Sequence, residues 1–245
     1  GDTTLNATSS NAGAAGDADY NAAAGTVSFD PEVLTQTISV AINGDDVDEG
    51  ASQSFSVDLS SPANSTIGTA SGTGTITDEE ATPTVDIADV TVALEGGSGV
   101  PQSASPVLTL SGESEFTLTV DYATSDGTAT TADGDYTAGG ATVTFVGGDT
   151  SETIDVTVDG DDKDEDDETV TVTLSSHSTN LDAGDSTATI TITDDDLPPT
   201  VSVSDEVLVA EDAALTTTDM TFTVSLDAES GKTITMDYAT ADGTA

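Results

Sequence analysis

The sequence repeats itself at an interval of 116 residues, and this periodicity restricts the possible folds more than any other feature. VDYATSDGTA, which begins at Val120, returns as MDYATADGTA beginning at Met236. DYNAAAGTVSF, which begins at Asp19, returns as DYTAGGATVTF beginning at Asp135. Self-similarity at a fixed interval of this length indicates that one structural unit occurs in tandem.

The repeat divides the chain into one complete unit and two partial ones. We assign residues 82–197 to a complete domain, residues 1–81 to the back part of a preceding repeat, and residues 198–245 to the front part of a following repeat. We expect the chain to be a piece of a longer repeat protein, because it begins and ends within a repeat. Proline restricts backbone rotation, so the links at Pro83 and at Pro198-Pro199 are predicted to be stiff.

Within the complete repeat the pattern is that of β-strands. Apolar side chains alternate with polar ones, often Thr, in EFTLTVDYAT and in TVTVTL, and clusters of Gly, Asp, Asn and Ser separate these runs. No segment favours a helix. Roughly seven short strands in a unit of this length predict an all-β, immunoglobulin-like Greek-key sandwich.

The charge balance excludes several classes of partner. The chain has 47 acidic residues and only two basic ones, Lys163 and Lys232, which gives a formal net charge of −45. Nucleic acids and anionic membranes are recognised through Lys and Arg, so we expect neither as a partner. No apolar run reaches the length of a membrane span, and there is no Cys to form a disulfide. Cations are the expected partners.

The acidic residues concentrate at the predicted strand ends, most densely in DGDDKDEDDETV from Asp159. In a Greek-key sandwich the loops gather at two ends, so acidic loops that are distant in sequence can meet at one tip. Ca²⁺ takes six to eight oxygen ligands, which converging carboxylates supply. One alternative remains open: the acids can form a solvated face, as in halophilic or marine spacers without specific sites. An EF-hand loop, which also binds calcium, does not fit the pattern.

Four segments occur in an order that resembles a known family. DYATSDGTA, DGDYTAGGATVTF, DGDDKDEDDETVTVTLS and ATITITDDD together resemble the Calx-beta domain, and the resemblance covers essentially the whole chain. It implies a seven-stranded immunoglobulin-like sandwich that binds several Ca²⁺ ions at one tip. Not all members of the family bind calcium.

The resemblance also implies ligand positions, which we expect to line one calcium cup. In the complete repeat these are Glu95, Asp135, Asp161, Asp162, Glu165, Glu168, Asp194, Asp195 and Asp196. In the first partial repeat they are Asp19, Asp45, Asp46, Glu49 and Asp78, and in the last repeat Glu211. Three departures from the family pattern, Gly160, Lys163 and Gln53 in place of Glu168, are expected to lower the number of ions or their affinity.

These observations lead to one functional hypothesis and two alternatives. The hypothesis is a calcium-binding structural or adhesive module of an extracellular, secreted bacterial surface or filament protein, with Ca²⁺ stiffening the junctions between domains. In the first alternative, partial repeats of neighbouring identical chains complete one sandwich and build a head-to-tail filament. In the second, the chain is an acidic spacer without calcium sites. No catalytic constellation is visible, and the single histidine, His177, lies in a polar loop, so we expect no enzyme activity.

Overall fold

A computed structural model describes residues 3–10, 19–92, 94–206 and 219–243 of the chain. The first unit contains β1 (Thr3–Ser10), β2 (Ala24–Phe29), β3 (Val47–Asp48), β4 (Gln53–Ser60) and β5 (Ser71–Ile76). The middle unit contains β6 (Thr84–Ile87), β7 (Val90–Val92), β8 (Gln102–Ala104), β9 (Val107–Leu110), β10 (Glu113–Ser114), β11 (Leu118–Asp126), β12 (Gly140–Phe145), β13 (Ser151–Thr153), β14 (Val156–Val158), β15 (Glu168–Ser175), β16 (Asp182–Ala183) and β17 (Thr187–Ile192). The last unit contains β18 (Val201–Val203) and β19 (Val224–Leu226).

The middle unit is a sandwich of two sheets. One sheet has the strand order β12-β11-β15-β17-β7 and the other β13-β9-β6-β16, and a two-stranded pair, β14-β8, lies beside them. Alternate residues of both sheets are buried in one apolar cluster, among them Leu108, Val120, Phe145 and Ile190. Thr fills many of the intervening outward positions, as the period of two in the sequence requires. The predicted all-β, immunoglobulin-like class is confirmed.

The strands are more fragmented than the seven expected from the sequence, and the first one shows why. β6 belongs to the four-stranded sheet, whereas β7, only two residues further on, pairs in parallel with β17 of the other sheet. The chain crosses between the sheets at residues 88–89. Asp89 holds this crossing in place, because its Oδ1 accepts a hydrogen bond from the Thr189 amide at 2.7 Å. The alternation shifts by one residue at the crossing, because the core-facing side chains pass from Val85 and Ile87 to Val90 and Val92.

The two partial units are halves of the same sandwich. The first unit forms the sheet β2-β1-β4-β5, which corresponds to β12-β11-β15-β17 of the middle unit, and the described residues of the last unit form the antiparallel pair β18-β19. Their apolar residues are therefore uncovered. Ile42 is 50% exposed although its counterpart Val158 is fully buried, and Val224 is 54% exposed although its counterpart Leu108 is fully buried. No helix that could span a membrane is found in the described part of the chain.

Equivalent core positions should therefore differ in their contribution to stability. Phe145 is fully buried, whereas Phe29, which occupies the same repeat position in the first unit, is half-buried. We expect Phe145→Ala to lower the free energy of unfolding by about 3–5 kcal/mol, since it opens a cavity between two sheets. Phe29→Ala should lower it much less. Urea denaturation followed by circular dichroism measures both, and equal losses would show that the first unit has a covered core.

Candidate metal centre

The register of the five-stranded sheet brings the acidic segments to one end of the middle unit. Glu168, at the start of β15, pairs with Ile192 at the end of β17, which pairs in turn with Val92 at the end of β7. Asp126, at the end of β11, pairs with Val170. The segments that continue from these strands therefore emerge together and contain the acidic residues predicted from the sequence.

The first cluster consists of Glu95, Asp161 and Asp196. One carboxylate oxygen from each residue lies within 4.8 Å of the others. Glu95 is only 9% exposed, and its Oε1 is buried without a hydrogen-bond partner, as is Oδ2 of Asp196. A buried carboxylate oxygen without a donor is costly in free energy, and a cation bound between the three residues would remove that cost.

The second cluster consists of Asp135, Glu165 and Glu168, again with one oxygen from each within 4.8 Å of the others. Asp135 is buried, and its Oδ2 accepts a hydrogen bond of 2.7 Å from the backbone amide of Thr130. This bond holds one oxygen of the Asp135 carboxylate in place beside the two glutamates. The six carboxylates of both clusters therefore occupy two groups, where the sequence predicted one cup.

The crowding of carboxylates in the two clusters raises the pKa of one glutamate in each. Burial, together with the charges of Asp161, Asp194, Asp196 and Glu165, raises the pKa of Glu95 to about 7. Burial and the neighbouring carboxylate of Asp135 raise the pKa of Glu168 to about 7 as well. Both carboxylates are thus unfavourable in their charged form, which is the form that binds a metal ion.

Gly160 allows two loops of the first cluster to approach each other. A Cβ atom at this position would overlap the backbone carbonyls of Glu95 and Gly96. The absence of a side chain therefore lets the Glu95 loop pack directly against the loop that carries Asp161. Gly160 departs from the acidic residue found in some Calx-beta domains, but in this structure it positions two of the predicted ligands.

Lys163 lies between the two clusters. Its Nζ is 2.7 Å from Oδ2 of Asp161 and 3.2 Å from Oε1 of Glu165, so it forms an ion pair with one member of each cluster. The hydrogen bond to Asp161 and the charge of Glu165 raise the pKa of Lys163 above its usual range. An ion that used both carboxylates would have to displace this ammonium group.

Three predicted ligands hold the loops and belong to neither cluster. Asp162 Oδ1 accepts a hydrogen bond from the Ser98 amide at 3.3 Å, and Asp195 Oδ1 accepts one from the Gly96 amide at 3.2 Å. Asp194 lies with its Oδ2 3.9 Å from the ammonium group of Lys232. Sequence reasoning gave these residues the same role as Asp161, because nothing in an acidic run shows which side chain turns inward.

The first unit carries a looser version of the second cluster. Asp19 is buried, and burial together with the charges of Asp19 and Asp45 raises the pKa of Glu49 to about 7. Gln53, at the position of Glu168, donates a side-chain hydrogen bond to Glu49 where the middle unit has a third carboxylate. Among its described residues, the first unit has no group of three carboxylates as close as the two clusters.

The remaining predicted ligands lie apart. Asp46 is exposed, and Asp78 lies beside Glu80, whose pKa it raises through a shared hydrogen bond. Glu211, the position predicted for the last unit, lies outside the described residues. Sequence reasoning assigned no role to Asp48 or Asp164, which are buried and contact the next repeat. Asp48 and Asp164 are one repeat apart in the sequence, and this spacing is the signal that could have revealed them.

Comparison with known proteins identifies one family along the chain. The model of the Calx-beta domain matches residues 1–80, 78–196 and 197–245. Similar solved structures include the apo-form Calx CBD1 domain, at 23% identity over 46% of this chain and 98% of that chain, with a TM-score of 0.41. CBD12 from CALX1.2 matches at 18% identity over 78% of this chain and 87% of that chain, with a TM-score of 0.38. The comparison with curated proteins finds no match.

The raised pKa values of the cluster glutamates predict how stability depends on pH in metal-free buffer. The folded chain retains protons on Glu95 and Glu168 up to about pH 7, whereas the unfolded chain releases them near the ordinary value of 4.5. The folded state binds more protons in this window, so the free energy of unfolding should fall as the pH rises from 4.5 to 7.

Thermal melts across this range measure the slope. The variant Glu95→Gln cannot titrate at this position and should show a shallower slope than the unaltered chain. A free energy of unfolding that rises with pH between 4.5 and 7 would contradict the assigned pKa shifts.

Proposed function

Because the chain belongs to the Calx-beta domain family, we propose that it is a calcium-binding structural module whose ions bind at the two acidic clusters of the middle unit. The observation that carries the proposal is the pair of buried oxygens, Glu95 Oε1 and Asp196 Oδ2, that have no hydrogen-bond partner and belong to the same cluster. A cation bound between these residues would supply a partner for carboxylates that the protein leaves incompletely paired.

The donor set selects the kind of cation. Each cluster offers only carboxylate oxygens, which suit Ca²⁺, whereas Zn²⁺ sites are built mainly from His and Cys. Mg²⁺ demands near-octahedral geometry and usually keeps several waters, so it is less suited to clusters of three closely spaced carboxylates. Three carboxylates per cluster leave room for carbonyl oxygens and water, which complete the shell of Ca²⁺ in flexible sites.

The position of the ligands explains what bound calcium would do mechanically. The first cluster joins the Glu95 loop, the Asp161 loop and Asp196, which immediately precedes the link at Leu197–Pro199. An ion that holds these three segments together would restrict motion at the start of the link. Calcium would thus stiffen the passage from the middle unit to the next one, in addition to stabilising the fold.

The biological setting is part of the same proposal. We assign the module to an extracellular bacterial surface or filament protein, in which tandem sandwiches act as a rod or an adhesive spacer. Supporting this assignment are the tandem organisation and the strong negative charge. We assign the module a non-catalytic role; its single histidine, His177, is exposed, and its Nδ1 lies 3.2 Å from the carbonyl oxygen of the neighbouring Ser178.

A calcium titration tests the proposed function. We expect calcium at about one hundred times its dissociation constant to stabilise the unaltered chain by about 2.7 kcal/mol, which raises the melting midpoint by on the order of 10 °C. Glu95→Gln should lose most of this rise, because it removes the buried ligand. In metal-free buffer above pH 7, where Glu95 is charged, the midpoint of this variant should be higher than that of the unaltered chain, since the substitution removes a buried charge.

Glu152→Gln is the matched control. Glu152 lies in β13 and belongs to neither cluster, so the same chemical change should leave the calcium response intact. A midpoint that calcium does not move in the unaltered chain, or one that it moves equally in the Glu95→Gln variant, would refute binding at the first cluster.

The uncovered halves of the outer units favour a second candidate function, self-association. In the middle unit the strands β6 and β9 cover the apolar face of the five-stranded sheet, but the corresponding sheet of the first unit has no such cover among the described residues. The antiparallel pair β18-β19 has the same repeat positions as β6 and β9 and exposes Val203 by 64% and Val224 by 54%. The strand pair of one copy therefore suits the open sheet of another.

We propose a second copy of this chain as the occupant, because the two exposed faces are the two halves of one repeat. Joining them would bury apolar surface and would extend the array head to tail. In a longer parent chain the neighbouring repeat would fill the same place. The contacts proposed between two copies are therefore the same as those that would complete a sandwich and continue the rod within one longer chain.

Light scattering after size-exclusion chromatography, in buffer with calcium and about 0.15 M salt, tests this association. We expect the mass to rise with protein concentration, and Val224→Asp should prevent the rise, because it places a charge on the exposed strand pair β18-β19. Val146→Asp is the control, since Val146 is 56% exposed but lies on the complete middle unit. A monomer at every concentration would refute the association of two copies.

A further inference from the structure

Neighbouring repeats contact each other through a set of hydrogen bonds that the acidic clusters do not include. At the first joint, β3 of the first unit and β10 of the middle unit pair in parallel, with Asp48 opposite Ser114. The hydroxyl of Ser114 lies 3.2 Å from the carbonyl oxygen of Asp48 and 3.2 Å from its Oδ2. The amide of Glu115 donates to the same carbonyl at 3.1 Å, and the amide of Phe116 donates to the Ser114 hydroxyl at 3.3 Å.

The second joint reproduces this pattern 116 residues later. Asp164 and Ser230 form a parallel bridge, and the hydroxyl of Ser230 lies 3.1 Å from the carbonyl oxygen and 3.4 Å from Oδ2 of Asp164. The amide of Gly231 donates to that carbonyl at 3.1 Å, and the amide of Lys232 donates to the Ser230 hydroxyl at 3.1 Å. Two independent joints thus contain the same four contacts.

The contacts are shielded from water at their centre. Asp48, Ser114 and Asp164 are 5%, 2% and 7% exposed. Burial of the two aspartates is unusual in a chain with so little positive charge. Buried polar groups are retained when they are hydrogen-bonded, and removal of one partner leaves the other unsatisfied. The aspartates therefore depend on the next repeat for their burial.

One pair of residues beside these contacts differs between the joints. At the first joint Phe116 packs over Gly50, where a Cβ atom would lie 3.2 Å from the phenyl ring. At the second joint the same two repeat positions hold Lys232 and Asp166. The ammonium group of Lys232 is 2.8 Å from Asp164 Oδ1 and 3.6 Å from Asp166 Oδ1. The pair is apolar at the first joint and ionic at the second.

We propose that an Asp–Ser clasp, formed by Asp48 with Ser114 and by Asp164 with Ser230, fixes each repeat to the next without a metal ion, and that the adjacent pair decides whether the joint responds to salt. The partner of this surface is the following repeat. A clasp of backbone and hydroxyl contacts is insensitive to ionic strength, whereas the ion pairs of Lys232, which is partly exposed, are screened by salt. The first joint is accordingly salt-independent and the second salt-dependent.

Amide hydrogen exchange by NMR in the full chain, with chelator present, tests the clasp residue by residue. In the unaltered chain the amides of Glu115 and Gly231 should be protected. Ser114→Ala should speed exchange at Glu115 by at least about fivefold, which corresponds to about 1 kcal/mol for one hydrogen bond, and should leave Gly231 unchanged. Ser230→Ala should do the reverse.

Ser105→Ala is the control. The hydroxyl of Ser105 donates to Asp155 at 2.7 Å within the middle unit, so its loss should change neither joint. Unprotected amides at Glu115 and Gly231, exchange that the serine variants do not speed, or protection that appears only with calcium would overturn the clasp. The first two results leave calcium binding at the clusters untouched, so the failures of the two proposals are distinguishable.

An exchange of the variable pair tests its role. Raising the salt concentration should speed exchange at Gly231 and leave Glu115 unaffected, with both joints observed in the same molecule. The double variant Asp166→Gly, Lys232→Phe transfers the pair of the first joint to the second and should abolish the salt response at Gly231. An equal salt response at both joints, or one that survives the double variant, would overturn the assignment.

Discussion

The mutual repulsion of carboxylates at one end of the middle unit is the constraint on which the rest of the structure depends. The register of β15, β17 and β7 requires three acidic segments to emerge together, and the chain has only two basic side chains with which to balance them. Both lie at this end, Lys163 between the clusters and Lys232 at the joint. Two ammonium groups cannot pair with all of these carboxylates, and Glu95 and Asp196 each have a buried oxygen without a hydrogen-bond donor. A bound cation is the simplest way to balance their charge.

The same end of the sandwich contains both the metal centre and the joint, and one short loop serves both. Glu165 turns into the second cluster, whereas the neighbouring Asp164 turns toward the following repeat. A Cβ atom at Gly231 of that repeat would lie 2.6 Å from Oε1 of Glu165, so the clasp and the cluster are in contact. Ion binding and repeat alignment are therefore adjacent but use different side chains, which lets the joint persist when the charge on the cluster changes.

The repeats preserve shape by changing residues in pairs. In the middle unit Val170 lies opposite Ile190, whereas the first unit has Phe55 opposite Gly74, where the ring fills the space that the glycine leaves. The Phe116–Gly50 and Lys232–Asp166 pairs at the joints follow the same logic. Close packing explains this pattern, since a change of volume or charge at one position is accommodated at the position it touches.

The sequence by itself determined the class of fold, the repeat length and the end of the sandwich at which the acids gather. These follow from the period of two in the strands, from self-similarity and from the position of Asp and Glu at strand ends, all of which are local properties. Only the tertiary structure decided that Asp161 and Glu165 join separate clusters while Asp162 and Asp164 bind backbone groups and the next repeat. Adjacent acidic residues have the same chemistry, and their roles differ because the folded backbone turns each side chain toward a different neighbour.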